Sequence, residues 1–470
     1  MKETMSHVSI LMLSLLLLFS LNTIDLIPAE AVSEYVHVNG KNIVDEWGRT
    51  ITLRGFNLWI NDWGYGTDTP FMKLTPTHMQ QIKNWGFNLV KLSVYWTFWL
   101  EPDENAPGVY NEEFLSHMDW VIDMAWDAEL YSIISVRVCF DPTTMPDWAG
   151  WSTHDYVVYN QVDSGGIHGL ERFCNLWRML VNRFDDHPGV IGYNPWMFPY
   201  HSQKVPDGDE RVDLYNNNVS PALNSAIREK SNKIIFWSPV HCGARLHRDG
   251  EDHYVFDAGG YGAFPPLWNQ TRVPTPFDDE NIVYTITGYG NFEVANNAEV
   301  IWDYDVQYIE QGFAFGKSFQ DRYDVPMMSS EGPGLFIHNP NPDNHANIRP
   351  IRQDRLDMLV QTLKLLDNYP KNWAYWIYSG EKNSYGVLEN SVTLEESEIV
   401  PILAQHKAPI LESDLDHNGE VNILDLSIVA QEFGSKLGDE NWNSIADRNA
   451  DGTVNILDIA RVAKDWEKRI

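Results

Sequence analysis

Cysteine is scarce in this 470-residue chain: Cys139, Cys174 and Cys242, odd in number and widely spaced, give neither a disulfide framework nor a zinc site. Basic residues are outnumbered as well. Thirty-four Lys and Arg face 66 Asp and Glu, and a formal charge of -32 makes a field that repels nucleic acid and anionic lipid. Long apolar runs are also missing. The stretch from Val8 to Leu21 is about 14 residues, short of the roughly 20 that a helix needs to cross a bilayer. With Lys2 before it and Ala29-Glu30-Ala31 after it, it reads as a signal peptide over residues 1–31, so a secreted, extracellular or cell-surface protein is expected, with no membrane contact beyond that peptide. Nowhere is there a Pro/Thr- or Gly/Ser-rich linker.

What is present is ordinary globular composition, 43% hydrophobic and 21% charged, with 13% aromatic residues, more than a core requires. From Tyr35 the chain alternates apolar and polar residues around Asn39-Gly40, which predicts a hairpin able to close a barrel from below. Eight β-rich runs follow, near 52–57, 88–94, 131–138, 190–196, 233–238, 282–287, 325–330 and 373–378. Helical periodicity lies between them, at 76–85, 113–128, 170–184, 214–230, 300–319, 352–366 and 395–404. That alternation predicts an α/β fold, a (β/α)8 TIM barrel. Only 239–280, rich in Gly, Pro and aromatics, lacks a helical period and is expected to be a long loop over the barrel mouth. The barrel is expected over 32–406, a short linker over 407–413, and a small all-α domain over 414–470.

That last segment carries one pattern twice. In DLDHNGEVNILD, Asp414, Asp416, Asn418, Asn422 and Asp425 occupy positions 1, 3, 5, 9 and 12 of a twelve-residue calcium loop, with Gly419 at the turn and the Glu420 carbonyl at position 7. The pattern returns 33 residues later as DRNADGTVNILD, with Asp447, Asn449, Asp451, Asn455 and Asp458, Gly452 at the turn and the Thr453 carbonyl at position 7. Two loop-helix units and two Ca2+ ions are expected. The doubled unit resembles a type I dockerin, which implies a cohesin domain as partner. In such modules positions 10 and 11 help form the docking face. Here they are Ile423-Leu424 and Ile456-Leu457, and a role in the small domain's core is the competing reading.

Within 35–405, the segments VHVNGKNIVDEWGRTITLRGFN, WGFNLVKLSVYW, RFDDHPGVIGY, VPMMSSEGPG and WAYWIYSG resemble glycoside hydrolase family 5. The resemblance implies retaining hydrolysis of β-linked polysaccharide or oligosaccharide by two glutamates, an acid/base ending the fourth strand and a nucleophile ending the seventh. Glu331 matches the nucleophile. Trp376 matches the tryptophan under the reacting sugar, and Tyr289 a tyrosine that steadies the nucleophile. Trp196 and Phe198 are added as cleft aromatics. The fourth-strand Asn-Glu-Pro is Met197-Phe198-Pro199 here, so a phenylalanine stands where the proton donor belongs. Arg137 replaces a histidine of the third strand, Thr287 one of the sixth, and Lys91 an arginine of the second. Two readings stay open: a hydrolase whose acid arrives from a loop, with Asp141, Asp207, Asp209, Glu210 or Glu293 as candidates, or a catalytically silent glycan-binding barrel tethered to a cohesin-bearing scaffold or surface.

Overall fold

The computed structural model describes residues 35–45, 50–59, 74–103, 106–138, 157–162, 166–197, 199–201, 213–239, 241–248, 254–261, 276–286, 294–296, 299–301, 316–334, 353–378, 386–390, 393–408, 413–415, 421–436, 439, 446–448 and 452–466. Eight strands close a barrel: β1 (Arg54–Trp59), β2 (Leu89–Tyr95), β3 (Tyr131–Arg137), β4 (Val190–Met197), β5 (Ile234–Trp237), β6 (Ile282–Ile286), β7 (Met327–Ser329) and β8 (Asn372–Tyr378). Every neighbouring pair is parallel, and the ring shuts through β8 against β1 and β7 against β8. Around it lie α1 (Pro76–Asn84), α2 (Glu112–Asp127), α3 (Gly169–Phe184), α4 (Ser220–Arg228) and α5 (Gln353–Asn368).

Period-two alternation divides each strand's side chains between two cores. Inside the ring Leu89, Ile133, Ile191, Ile234, Phe236, Val283, Met328 and Ala374 meet as an apolar plug, and each of these side chains larger than alanine contributes about 1.5–3 kcal/mol when fully buried. Val36 and Ile43 join this plug from the antiparallel hairpin His37–Asn39/Asn42–Val44, so the hairpin does close the floor. The second core lies between strands and helices and takes most of the large rings, Trp96, Trp177, Trp196 and Trp373 among them. Two glycines are dictated by close approach. A Cβ on Gly55 would meet the Leu89 carbonyl oxygen at 1.8 Å, and one on Gly192 the Ile234 carbonyl oxygen at 2.2 Å.

Three expectations are corrected. Part of the segment expected as a long loop is strand: His241–Arg248 pairs antiparallel with Tyr254–Tyr261. The helix expected from 300 is strand at its start, where Glu299–Ile301 pairs with Val294–Asn296, although 316–323 is helical. The helix expected over 395–404 begins as a short strand, Glu395–Glu396, and only Val400–Leu403 is α-helical, with Pro401 in its first turn.

In the C-terminal segment, α6 (Ile423–Gln431) and α7 (Ile456–Lys464) share a small core of Leu415, Val421, Val429, Ala446, Val454 and Val462. Both begin identically. Asn422 and Asn455 are the N-caps, and Asp425 and Asp458 at the third helical position reach back to the cap N–H groups, the reciprocal capping box.

A buried ion pair fixes the connection that leaves β2. Glu101 accepts from Arg172 Nε of α3 at 2.9 Å, from Trp96 Nε1 at 2.6 Å and from the Gly108 amide at 2.7 Å. Both charged side chains are buried, so removing one partner strands the other. Glu101→Ala is expected to cost about 3–5 kcal/mol, the usual penalty for orphaning a buried charge, read as a lower urea midpoint.

Candidate active site

Above the apolar plug the barrel interior turns polar. Asn57 of β1, Lys91 of β2, Ser135 and Arg137 of β3, Asn194 of β4, Ser238 after β5 and Thr285 of β6 are all buried. Buried polar groups persist only when paired. Asn194 Nδ2 donates to the Phe236 carbonyl and to Ser238 Oγ at 2.9 Å, its Oδ1 accepts from Ser135 Oγ at 2.7 Å, and Ser238 Oγ meets Thr285 Oγ1 at 3.0 Å. Four strands are thereby cross-linked by side chains at one level.

Glu331 stands in the turn that leaves β7 and is buried. Main-chain bonds pin its neighbours on both sides, Ser330 N to the Ile286 carbonyl of β6 at 3.0 Å and Gly332 N to the Ala374 carbonyl of β8 at 3.1 Å. The Ser330 carbonyl takes two more donors, Asn57 Nδ2 at 3.1 Å and Lys91 Nζ at 3.3 Å. Lys91 has no exposure, and burial pulls its ammonium down to about 8, against the pull of Glu331 and with the push of Arg137. Trp376 of β8 is tied to the same turn, its amide donating to the Pro333 carbonyl at 3.0 Å. The Arg137 guanidinium lies over the Trp376 ring, 5.3 Å from its centroid, and 5.9 Å from that of Tyr95, in cation–π geometry.

Of the residues singled out from the sequence, Glu331, Lys91, Arg137 and Trp376 thus come together at the C-terminal end of the barrel, the end that carries the active site in barrel enzymes. Trp196 does not join them. Its ring packs against Phe173 of α3 at 5.5 Å and Tyr215 at 5.8 Å, in the layer between strands and helices, because its strand position points outward. Phe198, Tyr289, Thr287 and the loop acids Asp141, Asp207, Asp209, Glu210 and Glu293 lie outside the described residues. Asn57 and Asn194 went unread in the sequence, although an asparagine inside an otherwise apolar strand run was a signal.

In the C-terminal segment, Asp414, Asp425, Asp447 and Asp458 are buried. Asp425 accepts from the Leu415 and Asn422 amides, Asp458 from Asn455 N at 2.7 Å, and Asp447 from Gly452 N at 2.8 Å. A set of buried carboxylates with amide and carbonyl oxygens is a donor set for a hard divalent cation. Among the described residues no three His, Cys, Asp or Glu side chains converge, and Asp416, Asn418, Glu420, Asn449 and Asp451 lie outside them. The alternatives for positions 10 and 11 are decided by exposure: Ile423 and Leu424 are 58% and 50% exposed, Ile456 and Leu457 62% and 57%, so neither pair is core.

An eightfold parallel barrel with a buried glutamate at the end of its seventh strand has the architecture of a barrel enzyme. Residues 44–380 match the cellulase family, glycosyl hydrolase family 5, and 412–465 match the type I dockerin domain. The chain belongs to glycosyl hydrolase family 5, and a dockerin domain follows its glycoside hydrolase barrel. Among curated relatives, endoglycoceramidase I of Rhodococcus hoagii is 23% identical over 43% of this chain and 46% of the relative, so the chain spans under half of that protein. A β-xylosidase of Phanerodontia chrysosporium is 19% identical over 73% of this chain and 70% of its own. Two solved structures share the fold. An endogalactoceramidase has a TM-score of 0.52 at 16% identity, covering 79% of this chain and 84% of its own. Cel5A of Thermotoga maritima with mannotriose has a TM-score of 0.52 at 15% identity, covering 75% and 97%.

Lys91 links this site to stability. Its folded-state pKa lies below the ordinary lysine value, so below pH about 8 it is charged in both states and the burial cost is fully present. From there up to the ordinary value of about 10.5 the unfolded chain binds the extra proton, and stability rises with pH. Relative to Lys91→Met, the wild-type protein should gain about 1.4 kcal/mol per pH unit in this window, measured by urea unfolding across it.

Proposed function

We propose that this protein is a secreted retaining glycoside hydrolase of β-linked polysaccharide, with Glu331 as nucleophile. What carries the reading is the placement of Glu331, buried at the end of β7 and held between β6 and β8 with Lys91 and Trp376 beside it. The Glu331 carboxylate attacks the anomeric carbon and forms a glycosyl ester as the bond to the leaving oxygen breaks. Water then attacks the same carbon and releases a proton to solvent, the ester opens and the carboxylate is regenerated, and the departed alkoxide takes up a proton in turn. Trp376 is the floor under the reacting sugar, and Tyr289 steadies the nucleophile.

Phe198 at the acid/base position changes which half of this cycle is supported. A general acid contributes about a hundred- to ten-thousand-fold, because a sugar alkoxide leaves poorly without a proton. Leaving groups that need no proton escape that loss. The names of the relatives support the choice of substrate class, since one is a β-xylosidase and another, from Oryza sativa and 30% identical over 26% of this chain, a mannan endo-1,4-beta-mannosidase.

The C-terminal domain is read as a two-calcium module that carries the enzyme to a cohesin. Its loops supply carboxylate, amide and carbonyl oxygens, and bound calcium would offset the charge of the buried aspartates. The exposed Ile423-Leu424 and Ile456-Leu457 pairs, uncharged and repeated at identical positions, suit an apolar docking partner.

Dinitrophenyl β-glycosides fluorinated beside the anomeric carbon, built on glucose, mannose and xylose, should label Glu331 in at least one case, seen by mass spectrometry of the digested protein. Glu331→Gln should abolish labelling and lower turnover of the unfluorinated analogue by about a thousandfold or more. No adduct with any of the three sugars would sink the nucleophile assignment.

For the second domain, chelation should lower helical circular dichroism and restored calcium should recover it. Leu424→Arg combined with Leu457→Arg should abolish cohesin capture on a biosensor without altering that calcium response.

A further inference from the structure

Arg137 is the buried group at the barrel mouth that the reaction cycle above leaves without a task. It ends β3, in register with Tyr95 at the end of β2 and with Met197 of β4, the residue before Phe198. Its guanidinium lies over the Trp376 ring, 5.3 Å from the centroid, and over the Tyr95 ring at 5.9 Å, and all three side chains are buried. A cation stacked against two rings has lost much of its freedom before any ligand arrives. Among the described residues, the buried charges inside this end of the barrel are Lys91, Arg137 and Glu331, two cations to one carboxylate. Glu101, buried in the connection that leaves β2, is taken up by Arg172, Trp96 and the Gly108 amide. Where the family resemblance places a carboxylate after β4, this chain has Phe198, and where it places a histidine on β3, Arg137. Both exchanges move the site in the positive direction.

We propose that Arg137 sets specificity for an anionic glycan, its guanidinium receiving a carboxylate or sulfate group carried by the sugar that lies against Trp376. The inference rests on the reading of Trp376 as a sugar platform. A sugar hydroxyl asks only for a neutral donor, and keeping a guanidinium out of water for that purpose costs more than it returns. An anionic group repays the burial, because two of its oxygens match the guanidinium fork and the bonds are charge-assisted. Five N–H donors allow Arg137 to hold a neighbour in the protein and still receive such a group. The formal charge of -32 opposes this only weakly, since charges farther off than about 8 Å are screened at physiological ionic strength while a docked group touches Arg137. Other buried cations of the barrel serve its floor. Arg54 is tied to Asp367 and to the carbonyls of Lys371, His406 and Lys407, and Lys233 donates to the His187 carbonyl and lies over Tyr35.

The test titrates the full-length wild-type protein, Arg137→Gln and Arg137→Lys with matched pairs of oligosaccharides by calorimetry. Oligomers of β-linked glucuronate and mannuronate are paired with their carboxyl-reduced counterparts, and cello-oligosaccharides sulfated on the primary hydroxyl with the unsulfated ones. In the wild type at least one anionic member should bind about ten- to a hundredfold tighter than its neutral partner, the worth of a hydrogen bond to a charged group. The pair that shows it tells carboxylate from sulfate. In Arg137→Gln the ratio should collapse to about one, and Arg137→Lys should keep part of it, since the charge remains but the fork is lost. Circular dichroism checks the fold of each variant, and the partial ratio of Arg137→Lys carries the test if Arg137→Gln does not fold. Equal affinity within every pair in the wild type overturns the role of Arg137, and the platform stands if the neutral members bind. A preference that survives intact in Arg137→Gln, or a fall in charged and neutral affinity by the same factor, overturns it equally. Binding of no oligomer overturns the platform reading and this inference with it. Anionic preference that depends on Arg137 in a protein never labelled at Glu331 upholds the inference while the nucleophile assignment falls.

Discussion

A ring of eight parallel strands encloses a space that only its own side chains can fill, and everything else in the barrel follows from how that space is divided. The lower part is sealed by aliphatic side chains and by Val36 and Ile43 of the entering hairpin. The upper part is filled by asparagine, serine, threonine, lysine and arginine, whose polar atoms must find partners within the ring. Asn194 meets that demand across strands by binding serine hydroxyls and a carbonyl, and the Asn57 amide nitrogen does so by donating to the carbonyls of Ser330 and Ala374. Among the described residues the site is therefore positioned by a polar layer that cross-links the strands.

Much of this was legible in the sequence because the signals were periodic. All eight barrel strands lie where alternation and β-branched residues placed them, and the entering hairpin follows from Asn39-Gly40. Where periodicity and local pairing competed, the reading failed. The stretch around 300 has apolar spacing that a helix would also satisfy, yet Val300 pairs across to Ala295. In 395–404, proline and a strand pair shorten the helix to Val400–Leu403.

The site was legible only in part. Glu331 could be found by its place at a strand end and Lys91 by its match to an arginine of the second strand, both within a resemblance, whereas the orientation of an aromatic ring could not. Trp196 illustrates the limit: a tryptophan next to the fourth strand's end suits a sugar platform, but a register shift between the Ser135–Asn194 and Arg137–Met197 pairs turns it out of step with Asn194, toward Phe173 and Tyr215. Nor does sequence spacing reveal that Arg137 stacks on Trp376, since the two are brought together only by ring closure.

The uncovered Ile-Leu pairs of the last two helices have a cost away from any partner. Contiguous aliphatic surface draws copies of a chain together, more so when it occurs twice on one small domain. Opposing that is the chain's formal charge of -32, which keeps copies apart through mutual repulsion. Colloidal behaviour of the free protein is thus a contest between greasy patches and a screened field, and added salt tilts it toward clumping by weakening only the second.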